Sequence, residues 1–208
     1  MFTGITRGTF PVTRIEREPG LLRYAVALPE RLREGLELGA SVSIDGVCQT
    51  VVAVEGEQVR FDAIQETLDK TTLGELREGS LVSVERSFRV GDEVGGHEVS
   101  GHVRGTGAIA SIEHRDQVFD LRVTIPREWM KYVMQKGFIA VDGSSLTVGK
   151  TDPDGAFDLH LIPETLRLTK FGRKKVGDRV NIELDARTVA IVDTVERVLA
   201  ERAKQGGA

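Results

Sequence analysis

The sequence predicts an all-β protein built from two similar small barrels, followed by a C-terminal helix. Three observations lead to this prediction. The chain repeats itself once at a fixed offset, and each half carries about six short apolar stretches separated by glycine-containing turns. The last residues instead follow a helical period.

The internal repeat relates the first half of the chain to the second in unbroken order. Gly4 returns as Gly101, which sets the offset at 97. The segment 44–51 returns as 141–148, including its Asp-Gly pair, and beyond one inserted residue near 152–155 the offset becomes 98. A duplicated chain of this kind builds two similar pockets, which suits a protein that handles two copies of one ligand.

The length of the repeat decides between architectures. Solenoid and propeller repeats span roughly 20–50 residues, whereas an offset of 97 fits two units that each hold their own core. We therefore expect an N-terminal barrel at residues 1–97, a C-terminal barrel at 98–188, and a helix with its tail at 189–208.

The predicted strands alternate apolar and polar residues, as half-buried strands do. Three segments show this alternation: 42–45, 82–85 and 180–183. Gly56-Glu57 and Asp154-Gly155 separate apolar runs as hairpin turns do. The stretches after Pro29 and Pro126 fit short helices, and the glycine-rich segment 91–101 joins the two halves.

The end of the chain lies outside the repeat and reads as an amphipathic helix. Its apolar residues recur at helical spacing: Ile191, Val195, Val198 and Leu199. Asp193 or Thr194 is the predicted N-cap. A terminal helix usually packs on its own domain, but a barrel leaves few apolar faces for it, so an oligomerisation helix is the alternative. The sequence leaves both open.

The composition is that of a globular chain without a nucleic-acid or membrane surface. Of its 208 residues 40% are apolar and 29% charged, and the net charge is −4 with no basic block. No apolar run approaches about 18 residues, and the first residues lack the features of a signal peptide. The single cysteine, Cys48, cannot form an internal disulfide, so we expect a cytoplasmic protein.

Two equivalent segments place a small nucleophilic side chain two residues before a threonine. They hold Cys48 with Thr50 in the first half and Ser145 with Thr147 in the second. In a strand the members of each pair point to the same side, and inside a barrel they would meet a ligand as hydrogen-bond donors and acceptors. The alternative is that these hydroxyls only satisfy backbone groups near a turn. A Glu-Thr-Leu motif repeated in both halves favours the ligand-binding interpretation.

Several reactive residues have no twin in the other half. They are His102 in place of Ile5, Lys136 in place of Gly39, Asp185 in place of Ser87, and Cys48 in place of Ser145. This asymmetry would let two identical ligands take different roles, one giving and one receiving. Alternatively, a lone histidine or lysine is a surface group and a lone cysteine a small hydrophobic residue.

The histidines do not predict a metal site. His97 and His102 lie close together in sequence, but a metal requires further ligands. His114 and His160 stand in no ligand-like spacing, so we predict no metal. The glycine pair before His97 is followed by no helical pattern, and a phosphate-binding loop is not predicted either.

A set of motifs runs in unbroken order along the chain. They are Met1-Phe2-Thr3-Gly4-Ile5, Gly46-Val47-Cys48 with Thr50-Val51, Gly95-Gly96-His97, Ser100-Gly101-His102, Lys136-Gly137-Phe138-Ile139, Asp142-Gly143 with Ser145-Leu146-Thr147-Val148, and Ile162-Pro163-Glu164-Thr165-Leu166. These motifs resemble those of the riboflavin synthase family of the alpha type. The resemblance covers residues 1 to about 200, including the terminal helix.

The resemblance implies two six-stranded Greek-key barrels per chain, a homotrimer joined through the C-terminal helices, and a transferase that needs no cofactor. In this family two molecules of 6,7-dimethyl-8-ribityllumazine exchange a four-carbon unit, giving riboflavin and 5-amino-6-ribitylaminouracil. One lumazine binds in the N-terminal barrel of one subunit and the other in the C-terminal barrel of a neighbour. Lumazine synthase is a further expected partner.

The resemblance also implies functional positions, carried over residue by residue. The catalytic candidates are Cys48, His97, His102, Ser145, Thr147 and Asp185. The substrate-binding candidates are Phe2, Gly4, Ile5, Thr6, Ser41, Cys48, Gln49, Thr50, Asp62, Ala63, Ile64, Gln65, Glu66, Thr67, Gly101, His102, Val103, Lys136, Ser145, Leu146, Thr147, His160, Leu161, Ile162, Pro163, Glu164 and Thr165. The residues that depart from the family's usual pattern beside these positions are Asp45, Gln49, Gln65, Arg104 and Ser144.

Two other classes of protein stay open as alternatives. The same fold serves as a non-catalytic antenna protein that carries one lumazine or flavin, although such relatives typically lose the two His-containing motifs present here. A flavin-binding barrel of an oxidoreductase would need a nicotinamide-binding domain, for which the repeat leaves no room. Turnover of lumazine alone distinguishes the enzyme from the antenna.

Overall fold

The computed structural model describes residues 1–115 and 118–205. It contains two closed antiparallel barrels of six strands each and a C-terminal helix. This confirms the predicted fold class. In the described ranges no helix is long and apolar enough to cross a lipid bilayer.

The first barrel is a Greek-key barrel. Its strands are β1 Thr9–Glu18, β2 Leu21–Ala27, β3 Ser41–Ile44, β4 Val47–Glu55, β5 Gln58–Ile64 and β6 Leu81–Arg86. Around the ring the order is β1-β2-β5-β4-β3-β6, so β2 pairs with β5 and not with β3. Helices α1 Glu30–Arg33 and α2 Gln65–Lys70 and a 3₁₀ turn at Thr72–Glu75 fill the longer connections.

The second barrel repeats this topology. Its strands are β7 Gly105–Arg115, β8 Val118–Thr124, β9 Phe138–Val141, β10 Ser144–Asp152, β11 Ala156–Leu161 and β12 Arg179–Leu184. A 3₁₀ helix at Arg127–Tyr132 follows Pro126, and α3 Pro163–Leu168 and a 3₁₀ turn at Phe171–Arg173 follow β11. The short helices expected after Pro29 and Pro126 are thus confirmed, as are the two predicted hairpin turns.

The two barrels share their irregularities as well as their strands. The first strand of each is bulged, after Val12 and after Ile109, and the fourth is bulged after Val51 and after Val148. The bulge after Val12 matches the bulge after Ile109, and the bulge after Val51 matches the bulge after Val148, in both cases at the offset of the repeat. Because a bulge increases the local twist of a strand, equivalent bulges help close both sheets in the same way.

Core side chains fill the interior of each barrel. In β4 the side chains of Val47, Gln49 and Val51 are buried, whereas Cys48 is half-buried and Thr50 exposed. The expectation that the Cys48–Thr50 and Ser145–Thr147 pairs face the barrel interior is therefore wrong. A six-stranded barrel is too narrow to enclose a ligand beside its own side chains, so these pairs lie on the outer face.

The barrels meet at two equivalent Asp-Gly turns, Asp45-Gly46 and Asp142-Gly143. All four residues have a positive φ, as type I′ turns require. A Cβ on Gly46 would lie 2.5 Å from the amide nitrogen of Gly143, and a Cβ on Gly143 would lie 2.7 Å from that of Gly46. The turns touch backbone to backbone, and neither glycine has room for a side chain.

Buried polar side chains connect the barrels around these turns. Asn181 of β12 donates to the carbonyl oxygen of Asp45 at 2.8 Å and accepts from the amide of Thr72 at 2.8 Å. The Nζ of Lys170 lies 2.5 Å from Asp45 Oδ2 and 3.8 Å from Asp142 Oδ2. Burial lowers the pKa of Lys170, but the two carboxylates outweigh it and hold the pKa above its ordinary value. Lys170 therefore stays charged and joins a carboxylate from each barrel.

The half-buried alternation predicted for 42–45, 82–85 and 180–183 is wrong. Their polar residues are almost fully buried: Ser43 at 3% exposure, Asp45 at 1%, Ser83 at 3%, Glu85 at 4%, Asn181 at 1% and Glu183 at 6%. The strands have two buried faces because one face lines their own core and the other lies against the opposite barrel or the segments that cross to it.

The C-terminal helix α4 Ala186–Gln205 begins earlier than predicted. Asp185 Oδ2 accepts from the amide of Thr188 at 2.8 Å and from its hydroxyl at 2.6 Å, so Asp185 is the N-cap. The prediction of Asp193 or Thr194 as N-cap is therefore wrong. The first turn of α4 has no residue in the exposed apolar stripe. The helical spacing of that stripe therefore placed the beginning of the helix too late.

Two faces of α4 carry apolar residues. Val189 and Val192 pack against the core of the second barrel, and the hydroxyl of Tyr132 donates to Asp193 Oδ1 at 2.5 Å. The residues of the predicted stripe are exposed on another face: Ile191 at 64%, Val195 at 51%, Val198 at 38% and Leu199 at 59%. The division of the chain at residues 97 and 188 stays a prediction, and residues 206–208 of the expected tail lie outside the described residues.

The contact between the turns predicts a difference between two glycines with the same backbone conformation. Gly46 and Gly79 both have φ +83, but nothing lies within 4 Å of a Cβ on Gly79. We expect Gly79→Ala to lower the free energy of unfolding by about 1–2 kcal/mol, the cost of a left-handed residue. Gly46→Ala adds a backbone clash and is expected to cost about 4 kcal/mol or more. Thermal unfolding followed by circular dichroism measures both, and equal Tm values would contradict the contact.

Candidate functional site

The candidate site has two equivalent parts, one on the outer face of each barrel. The first is formed by side chains of β3, β4, β5 and α2: Ser41, Cys48, Thr50, Asp62, Ile64 and Thr67. The second lies at the matching region of the other barrel. It comprises Ser145 and Thr147 of β10, His160 of β11 and Thr165 of α3, with Lys136 just before β9 and Ile162 just after β11. Ser41 lies directly opposite Thr50 across the ladder, and Phe138 lies opposite Thr147. We call these two sets of predicted contact residues the first and the second pocket.

A segment from the other half of the chain borders each pocket. The amide of Cys48 donates to the carbonyl oxygen of Gly101 at 2.9 Å, and the amide of Ser145 donates to that of Gly4 at 2.8 Å. A Cβ on Gly101 would lie 2.6 Å from the Cβ of Cys48, and a Cβ on Gly4 would lie 2.5 Å from the Cβ of Ser145. Only glycine permits this approach, which explains why both positions are glycine.

The residues after these glycines continue along the opposite barrel. Val103 packs against the core of the first barrel, although β7 of the second barrel begins at Gly105. The hydroxyls of Thr6 and Ser144 lie 3.1 Å apart. The predicted contact residues Gly101–Val103 therefore lie against the first barrel beside Cys48, and Gly4–Thr6 lie against the second beside Ser145.

A buried carboxylate holds the start of each crossing segment. Glu85 accepts from the amide of Thr3 at 2.8 Å, from its hydroxyl at 2.7 Å and from the amide of Gly4 at 3.0 Å. Glu183 accepts from the amide and hydroxyl of Ser100, both at 2.7 Å, and from the amide of Gly101 at 2.9 Å. Both are missing from the sequence prediction, although their recurrence at the repeat offset in matching strands was a signal that could have found them.

The second pocket contains a buried histidine bonded to the serine. His97 is 8% exposed, and its Nδ1 lies 2.6 Å from Ser145 Oγ, with which it shares a hydrogen bond. Phe138 stacks on the imidazole at 5.2 Å between ring centroids and 16° between planes. A cavity of about 690 Å³ opens beside His97 and is also lined by Asp185 and Arg187. Neither Phe138 nor Arg187 was among the predicted site residues.

The protonation of His97 follows from this setting. Burial lowers its pKa, and the carboxylate of Asp185 partly opposes the shift. At neutral pH the imidazole is therefore neutral, with one of its two nitrogens unprotonated. With Ser145 at hydrogen-bond distance, the pair is able to take a proton from a bound ligand or to activate the hydroxyl.

Lys136 has an unusual backbone conformation for its residue type. Its φ is +66, in the left-handed region, where the first half of the chain has Gly39 at φ +82. A lysine in this region is strained, and such strain clusters at functional sites. Lys136 is exposed beside β9 and β10, which fits a contact with a ligand in the second pocket.

The remaining predicted residues differ in burial: some lie in the cores, and others are exposed on the surface. Phe2 is fully buried with Val99 and Ala140, behind Cys48. Four side chains point into the barrel cores: Gln49, Ala63, Leu146 and Leu161. Four residues begin the short helices α2 and α3 and are exposed: Gln65, Glu66, Pro163 and Glu164. His102 is exposed directly after Gly101.

The acidic and basic residues of the outer faces pair with close neighbours. His160 Nδ1 lies 2.5 Å from Asp120 Oδ1, in a cavity separate from the one beside His97. Asp62 lies 3.7 Å from the guanidinium of Arg23. Within residues 1–115 and 118–205 no three His, Cys, Asp or Glu side chains are grouped to hold a metal ion.

Comparison with known protein families identifies both halves of the chain. The model of the lumazine binding domain matches residues 3–87 and again residues 100–185. Riboflavin synthase of Escherichia coli (strain K12) is 48% identical over 205 residues, covering 97% of this chain and 95% of that protein. Riboflavin synthase of Chlamydia pneumoniae is 41% identical over 204 residues, covering 98% and 100%.

Solved structures share the fold. The crystal structure of LumP complexed with riboflavin has a TM-score of 0.82 and 24% sequence identity, covering 89% of this chain and 100% of that one. LumP complexed with 6,7-dimethyl-8-(1'-D-ribityl) lumazine has a TM-score of 0.79 at 24% identity, covering 88% and 98%. The chain belongs to the riboflavin synthase family and is an enzyme of the transferase class.

The pKa of His97 provides a test of the site's electrostatics. Asp185→Asn removes the nearby charge but keeps an N-cap for α4, so we expect the pKa of His97 to fall further below its ordinary value. Titration of the imidazole C–H resonances by NMR measures the change. Asp193→Asn is the matched control, because it removes a carboxylate of the same helix that is bonded to Tyr132. A raised pKa in Asp185→Asn would contradict this description.

Proposed function

We propose that this member of the riboflavin synthase family catalyses the dismutation of 6,7-dimethyl-8-ribityllumazine. Two molecules exchange a four-carbon unit and yield riboflavin and 5-amino-6-ribitylaminouracil. One observation carries the proposal: equivalent strands on the outer faces of the two barrels carry different reactive groups, the thiol of Cys48 on one and the Ser145–His97 pair on the other. A reaction between two copies of one substrate requires two like sites that treat them differently.

The pockets offer suitable contacts for such a ligand. We assign recognition of the heterocycle's polar edge to backbone groups along the crossing segments, next to Cys48 and Ser145. We assign the ribityl chain to outward hydroxyls and carboxylates, such as those of Thr50, Asp62 and Thr147. The groups of the first barrel lie within the first match of the lumazine binding domain, and those of the second barrel lie within the second match.

The chemistry does not need a strong base. The 7-methyl group is conjugated to an electron-poor ring, so the loss of its proton gives a delocalised anion. A neutral imidazole is a competent acceptor for that proton, and His97 and His102 are our candidates. The second lumazine is primed when a nucleophile adds to its ring, a role we assign to Cys48, water or a ribityl hydroxyl.

Holding the two ligands face to face is expected to contribute more than proton transfer. Favourable orientation supplies about 7–11 kcal/mol in good cases, whereas a general base worth 10²–10⁴ in rate supplies about 3–5 kcal/mol. We therefore propose that the walls of the pockets matter at least as much as any single acid or base.

We further propose that the enzyme works as a homotrimer held together through α4. The support is the exposed apolar stripe of Ile191, Val195, Val198 and Leu199, beside a second face that already packs on the barrel. In a trimer the first pocket of one subunit would meet the second pocket of a neighbour. The cytoplasmic location and an association with lumazine synthase stay predictions.

The proposed activity is tested by incubating the full-length protein with 6,7-dimethyl-8-ribityllumazine alone. We expect loss of lumazine absorbance and the appearance of riboflavin, with two lumazines consumed for each riboflavin formed. Stopped samples analysed by chromatography give that ratio. Tight binding of the lumazine without conversion would contradict the proposal and indicate a non-catalytic antenna protein.

The proposed trimer is tested by charging the exposed stripe of α4. Val195→Glu combined with Leu199→Glu is expected to give monomers, because it places charges in the proposed contact. Arg197→Glu changes an exposed residue away from the stripe and serves as the control. Size-exclusion chromatography with light scattering measures the mass, and an unchanged oligomer in the double variant would contradict a trimer formed through this face.

A further inference from the structure

Glu85 and Glu183 are equivalent buried carboxylates with unusual environments. They lie on the last strand of each barrel, are 4% and 6% exposed, and each accepts three hydrogen bonds from the first residues of a crossing segment. Among the described residues neither has a cationic partner. A buried carboxylate without a cation is costly unless several donors satisfy it, so these hydrogen bonds oppose the cost of burial and tie each glutamate to the segment that it holds.

Each carboxylate is joined to the opposite pocket by a short chain of bonds. Glu183 accepts from the amide of Gly101 at 2.9 Å, and the carbonyl oxygen of Gly101 accepts from the amide of Cys48 at 2.9 Å. Glu85 accepts from the amide of Gly4 at 3.0 Å, and the carbonyl oxygen of Gly4 accepts from the amide of Ser145 at 2.8 Å. A single glycine residue therefore links each glutamate to the pocket of the other barrel.

We propose that Glu85 and Glu183 are positioning residues that act across the barrels. Glu183, in the second barrel, holds the wall of the first pocket, Gly101–Val103. Glu85, in the first barrel, holds the wall of the second pocket, Gly4–Thr6. The proposal rests on the proposed function, because it assumes that these pockets bind flavin-like ligands.

A carboxylate is needed at both positions because every group that faces it donates a hydrogen bond. Glutamine has the same size but replaces one acceptor oxygen by an NH₂ group, which donates and does not accept. In Glu183→Gln at least one donor of Ser100 or Gly101 loses its partner. The segment then shifts relative to Cys48 while the barrel that carries the substitution keeps its own core.

The cysteine content of the chain allows each pocket to be observed separately. The sequence has one cysteine, Cys48, which lies in the first pocket. Exchanging Cys48→Ser and Ser145→Cys moves the thiol to the equivalent position of the second pocket. The rate of alkylation by iodoacetamide, measured by mass spectrometry with increasing riboflavin, then gives the riboflavin affinity of one pocket at a time.

The proposal predicts a crossed pattern. With the thiol at position 48, Glu183→Gln is expected to raise the riboflavin concentration that gives half-maximal protection about tenfold, the effect of losing one hydrogen bond to a charged group. Glu85→Gln is expected to change that concentration less than about twofold. With the thiol at position 145 the effects are reversed: Glu85→Gln is expected to weaken riboflavin binding about tenfold, and Glu183→Gln to change it little. Ser100→Ala and Thr3→Ala repeat the experiment with a smaller change if a glutamine variant does not fold.

The outcomes separate this proposal from the proposed function. Equal weakening at both pockets by either variant, or weakening confined to the barrel that carries the substitution, would overturn the positioning role, since a general loss of stability has no crossed pattern. Thermal unfolding of each variant provides the comparison. Riboflavin that protects neither thiol in otherwise unsubstituted protein would contradict the proposed function itself, and this proposal with it.

Discussion

The backbone contact between Gly46 and Gly143 is the constraint on which the rest of the structure depends. Two type I′ turns meet with no side chain between them, and Lys170 and Asn181 fasten the buried groups around them. This contact sets how one barrel faces the other. Only in that arrangement do the segments that begin at Gly4 and Gly101 reach the opposite strand. There a single added Cβ on either glycine would clash with Ser145 or Cys48.

The pockets are consequently composite features of the whole chain. In the proposed site each pocket has a floor of strands from one barrel and a wall from the other half, so we expect neither barrel to bind a ligand fully without its partner. The repeat supplies two equal frameworks, and a few substitutions make them unequal. Within residues 1–115 and 118–205, the hydrogen bond between His97 and Ser145 has no counterpart at Cys48, so the two proposed pockets differ in the groups available for proton transfer.

Much of this architecture was accessible from the sequence. The repeat and the glycine-containing turns predicted two barrels. The Asp-Gly pairs were recognised only as part of the repeat, and the structure shows that they form the turns of the central contact. What the sequence did not show depends on tertiary contacts. Glu85 and Glu183 alternate with apolar residues as solvent-facing charges do, and only the crossing segments reveal why they are buried. Likewise, strand alternation predicted that Cys48 and Thr50 share a side, but not that the interior was already filled by residues such as Gln49 and Phe61.

The most direct test of the composite pockets is a crystal structure of the protein with riboflavin bound. We expect one flavin on each barrel of the chain. One should lie against Cys48 and Val103, and the other against Ser145 and Ile5. Every ligand should touch residues from both halves of the sequence. A flavin whose protein contacts within the chain all come from a single half, or one bound inside a barrel, would contradict the account.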